Sequence, residues 1–274
     1  MVYVNICTME QINNIISDDI KNIESIIFSR IDTDNFVKFK IRDFLKSPSK
    51  KIRSILSILY LRSQNADINE NLLKIIAAGE LIHNASLLHD DVIDSAETRR
   101  NLTVFAKDVS PKMSIIAGDL LVSEAIELVL SINSEYISEK FIQCTKQMSE
   151  AEIQQFTLRG NLPDIDTYTT ICEGKTSALF CTLLKSLSVL SGLDENIADN
   201  FGKIFGIVFQ IRNDSEPNSA QNDINNKIYT MKDIIGIEKT NSLIDNYKEK
   251  MKSIIREFPD NIYSKGLIDL INKL

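Results

Sequence analysis

The sequence predicts an all-α protein, a single domain of about ten helices over residues 1–274. Three observations carry this. Apolar residues recur every three to four positions along most of the chain, the period of a helix with one buried face. No segment sustains the period-two alternation of a half-buried strand. Only 9 glycines and 5 prolines are present, too few for the many tight turns of a β architecture. No low-complexity linker divides the chain, so one domain is expected.

The first element is drawn by Ile12, Ile15, Ile16, Ile20, Ile23, Ile26 and Ile27, with Thr8 and Gln11 as its capping box. Isoleucine is β-branched and by itself favours strand; the period decides for helix. Further apolar-periodic segments cover 35–46, 51–63, 69–96, 111–133, 135–160, 164–190, 194–213, 229–257 and 261–273. Ser110 followed by Pro111 supplies a cap with proline in the first turn, and Gly192 ends the helix before it. Residues 215–226 break the pattern. They are polar and rich in turn formers, and their place beside a carboxylate cluster suggests a mobile cover over a site.

A net charge of −7 leaves no general nucleic-acid footprint, so an anionic ligand must be met by local cations or by metal ions. Cys7, Cys144, Cys172 and Cys181 are scattered and form no C-x-x-C pair, which points to free thiols in a reducing, cytoplasmic setting. No basic segment followed by an apolar core opens the chain, as a signal peptide would, and no apolar run reaches the ~18 residues of a membrane span.

The most informative stretch runs from Glu80 to Asp94. Asp90 and Asp94 are four apart, so on a helix both carboxylates leave one face, with roots about 5–6 Å apart. Asp91 is turned about 100° from Asp90. Acids packed this tightly repel each other unless a cation intervenes, and oxygen-only ligands favour Mg²⁺ completed by substrate phosphates. Arg99 and Arg100 follow, and guanidinium forks suit phosphate. Lys50, Lys51 and Arg53 open a helix with positive charge, where the macrodipole already favours an anion. The only two histidines, His83 and His89, stand beside the acids. Gly174-Lys175-Thr176 lacks the spacing of a P-loop. Phe209-Gln210-Ile211-Arg212-Asn213-Asp214 closes another apolar helix with a second, poorer set of oxygen ligands.

The run Asp90-Asp91-Val92-Ile93-Asp94 with Arg99-Arg100 resembles the first Asp-rich motif of the trans-polyprenyl diphosphate synthases, and Phe209–Asp214 resembles the second. The likeness extends from about Lys50 to Lys227, with the motifs in family order. It implies an antiparallel helical bundle around a deep central cavity, assembled as a homodimer, and a Mg²⁺-dependent prenyltransferase. Lys50, Arg53, His83 and Arg100 would hold isopentenyl diphosphate; Arg99, Lys175, Thr176, Gln210 and Lys227 would hold an allylic diphosphate. Asp90 and Asp94 would ligate Mg²⁺ with Asp91 in support, and Asp214 would serve a second metal site. Glu152 and Gln155 match a polar pair on a neighbouring helix. Catalysis would rest on Asp90, Asp94, Arg99 and Lys175.

The implied reaction is ionisation of the allylic diphosphate followed by attack of the isopentenyl double bond, with no side-chain nucleophile. Small residues at Ala85 and Ser86, five and four before the first aspartate, imply a product of geranylgeranyl length or longer, with Ile82 or Phe156 as deeper stops. The chain departs from the family at Ser49 and Asn101, where glycine is usual, and at Asn213 and Pro217, where carboxylates are usual; Glu216 or Asp223 would have to substitute. Two other readings compete. A class I terpene cyclase also uses an Asn-Asp second motif, but expects Ser or Thr at 217 and Glu at 221, where this chain has Pro217 and Gln221. A non-catalytic partner subunit of the same fold would explain the altered second motif.

Overall fold

In a computed structural model, the structure describes residues 12, 14–99, 102–215 and 226–274. The capping box of Thr8 and Gln11, together with Cys7, Arg100, Asn101, Glu216, Pro217, Gln221 and Asp223, lies outside the described residues, as does the side chain of Arg99. The helices are α1 (Ser17–Ser29), α2 (Phe36–Lys46), α3 (Ile52–Ser63), α4 (Glu70–Ile93), α5 (Phe105–Asp108), α6 (Pro111–Leu130), α7 (Glu135–Thr157), α8 (Ile165–Cys172), α9 (Ala178–Ser191), α10 (Glu195–Asn213), α11 (Met231–Ile235), α12 (Ile237–Ile255) and α13 (Ile262–Lys273). A π-turn, Glu173–Ser177, joins α8 to α9. Two short strands, β1 (Thr98–Arg99) and β2 (Leu102–Thr103), pair antiparallel with Thr98 opposite Thr103. No described helix is long and apolar enough to cross a membrane.

The expected segments become helices with few changes. Ile12, Ile16, Ile23 and Ile27 are buried, while Ile15 is exposed. Ser110 caps α6 by accepting from the Met113 amide at 3.1 Å, with Pro111 at the first helical position. Gly192 ends α9 in the left-handed region at φ 69°. The 229–257 segment is two helices, split where Gly236 adopts φ 83°. The 164–190 segment is interrupted by the π-turn, and α5 and the strand pair were not expected.

The chain forms two compact units. One comprises Asp19–Ser54 and Asn69–Phe141; the other comprises Ile55–Ile68, Ile142–Leu274 and the segment up to Asp18. In the first, α4 packs along α6. Gly118 of α6 leaves room for the His89 ring, which a Cβ there would overlap, and the Ser114 hydroxyl donates to the Leu88 carbonyl at 2.8 Å. In the second, α9 and α10 pack through aromatic rings: Phe180 meets Phe205 at 5.0 Å and Phe209 at 5.7 Å, both edge to face. At the start of that seam, Gly206 brings α10 against the π-turn, where a Cβ would collide with the backbone of Ser177.

Gly206→Ala should therefore destabilise the fold by about 1–3 kcal/mol, the usual range for overpacking a tight contact. Denaturant unfolding at equilibrium measures it; an unchanged midpoint would mean the two backbones are not held this close.

Candidate active site

The first unit carries the cluster around Asp90. Helix α4 ends in a Schellman motif: Ser95 takes a left-handed φ of 51°, its amide donates to the Val92 carbonyl at 3.2 Å, and the Ala96 amide donates to the Asp91 carbonyl at 3.0 Å. Asp94 is the C-cap and stays nearly helical (φ −90°, ψ −1°), so the four-residue spacing from Asp90 still sets both on one side. His83, Ser86, Asp90 and Asp94 are all half-buried and lie at three- and four-residue steps, one accessible stripe along α4. Asp91 faces the other way and is 1% exposed, as is Ala85. His89 is also committed to packing; its Nε2 lies 3.2 Å from the Ile115 carbonyl and 3.4 Å from Asp119. The last turn of α4 contains no basic residue.

At the start of α3, Lys50 is exposed and Arg53 is buried, 7% exposed. Lys51 has φ 46° and its ammonium pairs with Glu24 of α1. Burial lowers the Lys51 pKa, and nearby Glu80 opposes that shift. Arg99 stands in β1; the roles assigned to its side chain and to Arg100 lie outside the described residues.

The second unit gathers almost every other assigned residue into two hydrogen-bonded groups. The Lys175 ammonium lies 2.6 Å from Glu152 and donates to the Gln155 amide oxygen at 2.7 Å. The Thr176 hydroxyl donates to Gln210 Oε1 at 2.6 Å, and Gln210 Nε2 donates to Asp214 Oδ1 at 2.6 Å. The phenol of Tyr168 donates to the other oxygen of Asp214. The π-turn carries Lys175 and Thr176 side by side, and π-turns of this kind concentrate at functional sites. Burial pushes the Asp214 carboxyl up to about 6, against the donors Tyr168 and Gln210 and the charges of Lys175 and Lys232. The Tyr168 phenol is held well above its ordinary value, by burial first and then by Asp214. Lys227 stands apart: it is exposed, at φ 54°, and its carbonyl accepts from the Gly160 amide at 2.8 Å. Tyr168 and Lys232 escape sequence reasoning; the one trace of Tyr168 is its place two helical turns before Lys175.

A family model for polyprenyl synthetase matches residues 36–265. The chain belongs to the polyprenyl synthetase family. It is 31% identical over 174 residues to a decaprenyl-diphosphate synthase of Dictyostelium discoideum, covering 62% of this chain and 38% of that one. It is 29% identical over 211 residues to a prenyl transferase of Cyanidium caldarium (73% and 64%) and 26% over 212 residues to the octaprenyl diphosphate synthase of Escherichia coli K12 (75% and 65%). The matched regions thus span from 38% to 65% of the length of these relatives. The fold is that of a decaprenyl diphosphate synthase from Rhodobacter capsulatus (TM-score 0.88, 19% identity, 97% of this chain and 98% of that one). It is also that of a polyprenyl synthase from Caulobacter crescentus CB15 complexed with calcium and isoprenyl diphosphate (TM-score 0.82, 23% identity, 97% and 96%). These likenesses establish the all-α bundle expected from the helical period.

Because the Asp214 carboxyl sits at about 6 against an ordinary 3.8, the folded state holds its proton more tightly than the unfolded state does. Its contribution favours folding below pH 4 and is lost as pH rises through 6. Tyr168→Phe removes a donor to the carboxylate and should raise the Asp214 midpoint further, read by carboxyl NMR titration. A wild-type midpoint at the ordinary value would contradict the burial of Asp214, and no upward shift in the variant would contradict its hydrogen bond from Tyr168.

Proposed function

We propose that this polyprenyl synthetase condenses isopentenyl diphosphate with an allylic diphosphate, as a Mg²⁺-dependent homodimer working as one domain in a reducing, cytoplasmic setting. The observation that carries this is the accessible stripe of α4, on which His83, Ser86, Asp90 and Asp94 follow one another. The family match runs through both units, and the relatives' names include prenyl transferase and octaprenyl diphosphate synthase. Exposed apolar residues support the homodimer: Ile115 and Ile116 on α6, and Ile142, Ile153 and Phe156 on α7.

Among the described residues no group of three or more His, Cys, Asp or Glu side chains is arranged to hold a metal ion. The donor chemistry nevertheless fits Mg²⁺, which keeps waters and shares substrate phosphate oxygens with one or two carboxylates instead of requiring an all-protein cage. Asp90 and Asp94 would hold it from α4. In the second unit Asp214 would contribute, with Asn213 beside it offering an oxygen without charge. Bound there, Mg²⁺ supplies positive charge for a departing diphosphate.

The chain's own residues divide the remaining work. Lys50, Arg53, His83 and Arg100 would bind isopentenyl diphosphate; Arg99, Lys175, Thr176, Gln210 and Lys227 would bind the allylic diphosphate. Lys175, held by Glu152 and Gln155, presents a fixed ammonium to the leaving oxygens. The allylic C–O bond breaks with its electron pair leaving on diphosphate. The isopentenyl double bond then attacks the allylic cation, and the proton lost from the adduct goes to the departed diphosphate.

The purified chain, sedimenting as a dimer, should incorporate labelled isopentenyl diphosphate onto an allylic primer, and EDTA should abolish incorporation. Asp90→Ala or Asp94→Ala should lower turnover by several powers of ten, on the order of the loss of a leaving-group metal site. Wild-type rates in either variant would remove the metal assignment, and no incorporation by wild type would remove the enzyme.

We further propose a product of geranylgeranyl length or longer. Ser86 lies one turn, about 6 Å, before Asp90 on the accessible stripe, where a growing tail would pass. Ala85 is packed inside, so a larger residue there would strain the core before it met a substrate. Ser86→Phe should therefore shorten the product while Ala85→Phe chiefly destabilises. Product chromatography decides; a wild-type product that stops at farnesyl length would end this reading.

A further inference from the structure

We propose that Glu80 is a positioning residue for isopentenyl diphosphate binding, fixing the start of α3 against the turn of α4 that carries His83. The proposal rests on the binding roles given above to Lys50, Arg53 and His83.

Glu80 is 7% exposed, and a buried carboxylate is costly unless hydrogen-bonded or paired. Its Oε1 accepts both the Ser54 amide at 3.0 Å and the Ser54 hydroxyl at 2.6 Å. Ser54 is the third residue of α3, so its amide is one of those a helix leaves without an internal partner. A residue just before the helix usually fills this need, but here that residue is Lys51, whose side chain has no acceptor. Glu80 performs the capping from another helix, 26 residues away. The same small cavity is lined by Glu24, Lys51, Ser54, Glu80 and Asn84, which places the Lys51–Glu24 ion pair at this junction too.

The two elements joined are those that carry the proposed isopentenyl diphosphate contacts of the first unit. Arg53 adjoins Ser54 in the first turn of α3, and His83 is one turn beyond Glu80 on α4. Without the Glu80 acceptor the first turn of α3 loses its cap, and the cations on it lose their fixed spacing from His83.

The test is a split between the two substrates. Glu80→Ala should raise the KM for isopentenyl diphosphate about tenfold, the equivalent of one lost buried hydrogen bond to a charged group. The KM for the allylic diphosphate and kcat should change less than about twofold, since a remote anchor for one substrate acts mainly on its binding. Glu80→Gln, which keeps an acceptor at the same place, should restore most of the loss. If Glu80→Ala fails to fold, Ser54→Ala carries the test, because it removes only the hydroxyl donor and should raise the same KM about threefold. An unchanged isopentenyl diphosphate KM, equal rises for both substrates, or a Glu80→Gln variant as poor as alanine would each overturn the proposal. A wild type that binds neither diphosphate in equilibrium dialysis would instead remove the functional reading beneath it.

Discussion

Two long helices of this protein, α4 and α10, end in carboxylates, and a helix end of that sign is the wrong place for them. The carboxyl terminus of a helix carries partial negative charge, and each acid there raises the energy by about 0.3–1 kcal/mol. Helix α4 sets Asp90 and Asp91 in its last turn and Asp94 at its cap, and that last turn itself holds no basic residue. Helix α10 ends at Asn213 with Asp214 as its cap, and its last-turn Arg212 is engaged with the Leu274 carbonyl. The surrounding structure holds these side chains in place. A left-handed Ser95 locks the end of α4, His89 fastens the same helix to α6, and Tyr168 with Gln210 grips both oxygens of Asp214. Under the proposed function, a divalent cation shared with a diphosphate would ease the repulsion that remains.

This view gives Asn213 a physical account. The Asp214 carboxyl is already pushed up to about 6 by burial, so a second carboxylate beside it would raise the cost of ionising either one. The amide leaves an oxygen in place and removes the like-charge neighbour. Under the proposed function, the exchange would lower the charge available to hold a metal there.

The helices were legible because burial imposes a period, and a period survives unfavourable local preference, as the isoleucines of α1 show. The caps at Ser110 and Gly192 were legible because each depends on one or two adjacent residues. The α4 stripe followed from spacing within a single helix. What escaped depends on partners far apart in sequence: Tyr168 meets Asp214 across 46 residues, Ser54 meets Glu80 across 26, and neither pairing leaves a local mark. The π-turn escaped because one extra residue in a turn changes no residue type. Lys51, Lys50 and Arg53 were read as a positive helix start waiting for an anion; part of that anion is supplied internally, by Glu24 and Glu80.

The π-turn also bears on how this sequence can drift. A π-turn is one residue longer than the α-helical turn it replaces, so excising a residue from Glu173–Ser177 would leave an unbroken α-helix of good local energy. Because the π-turn absorbs its extra residue within one turn, the side chains after the cut would keep nearly their present direction. Leu179, Phe180, Leu183, Leu184 and Leu187, all buried now, would stay in the interior. The packing of α9 therefore does not hold the extra residue in place, and its loss would cost the side-by-side setting of Lys175 and Thr176 before it cost the core.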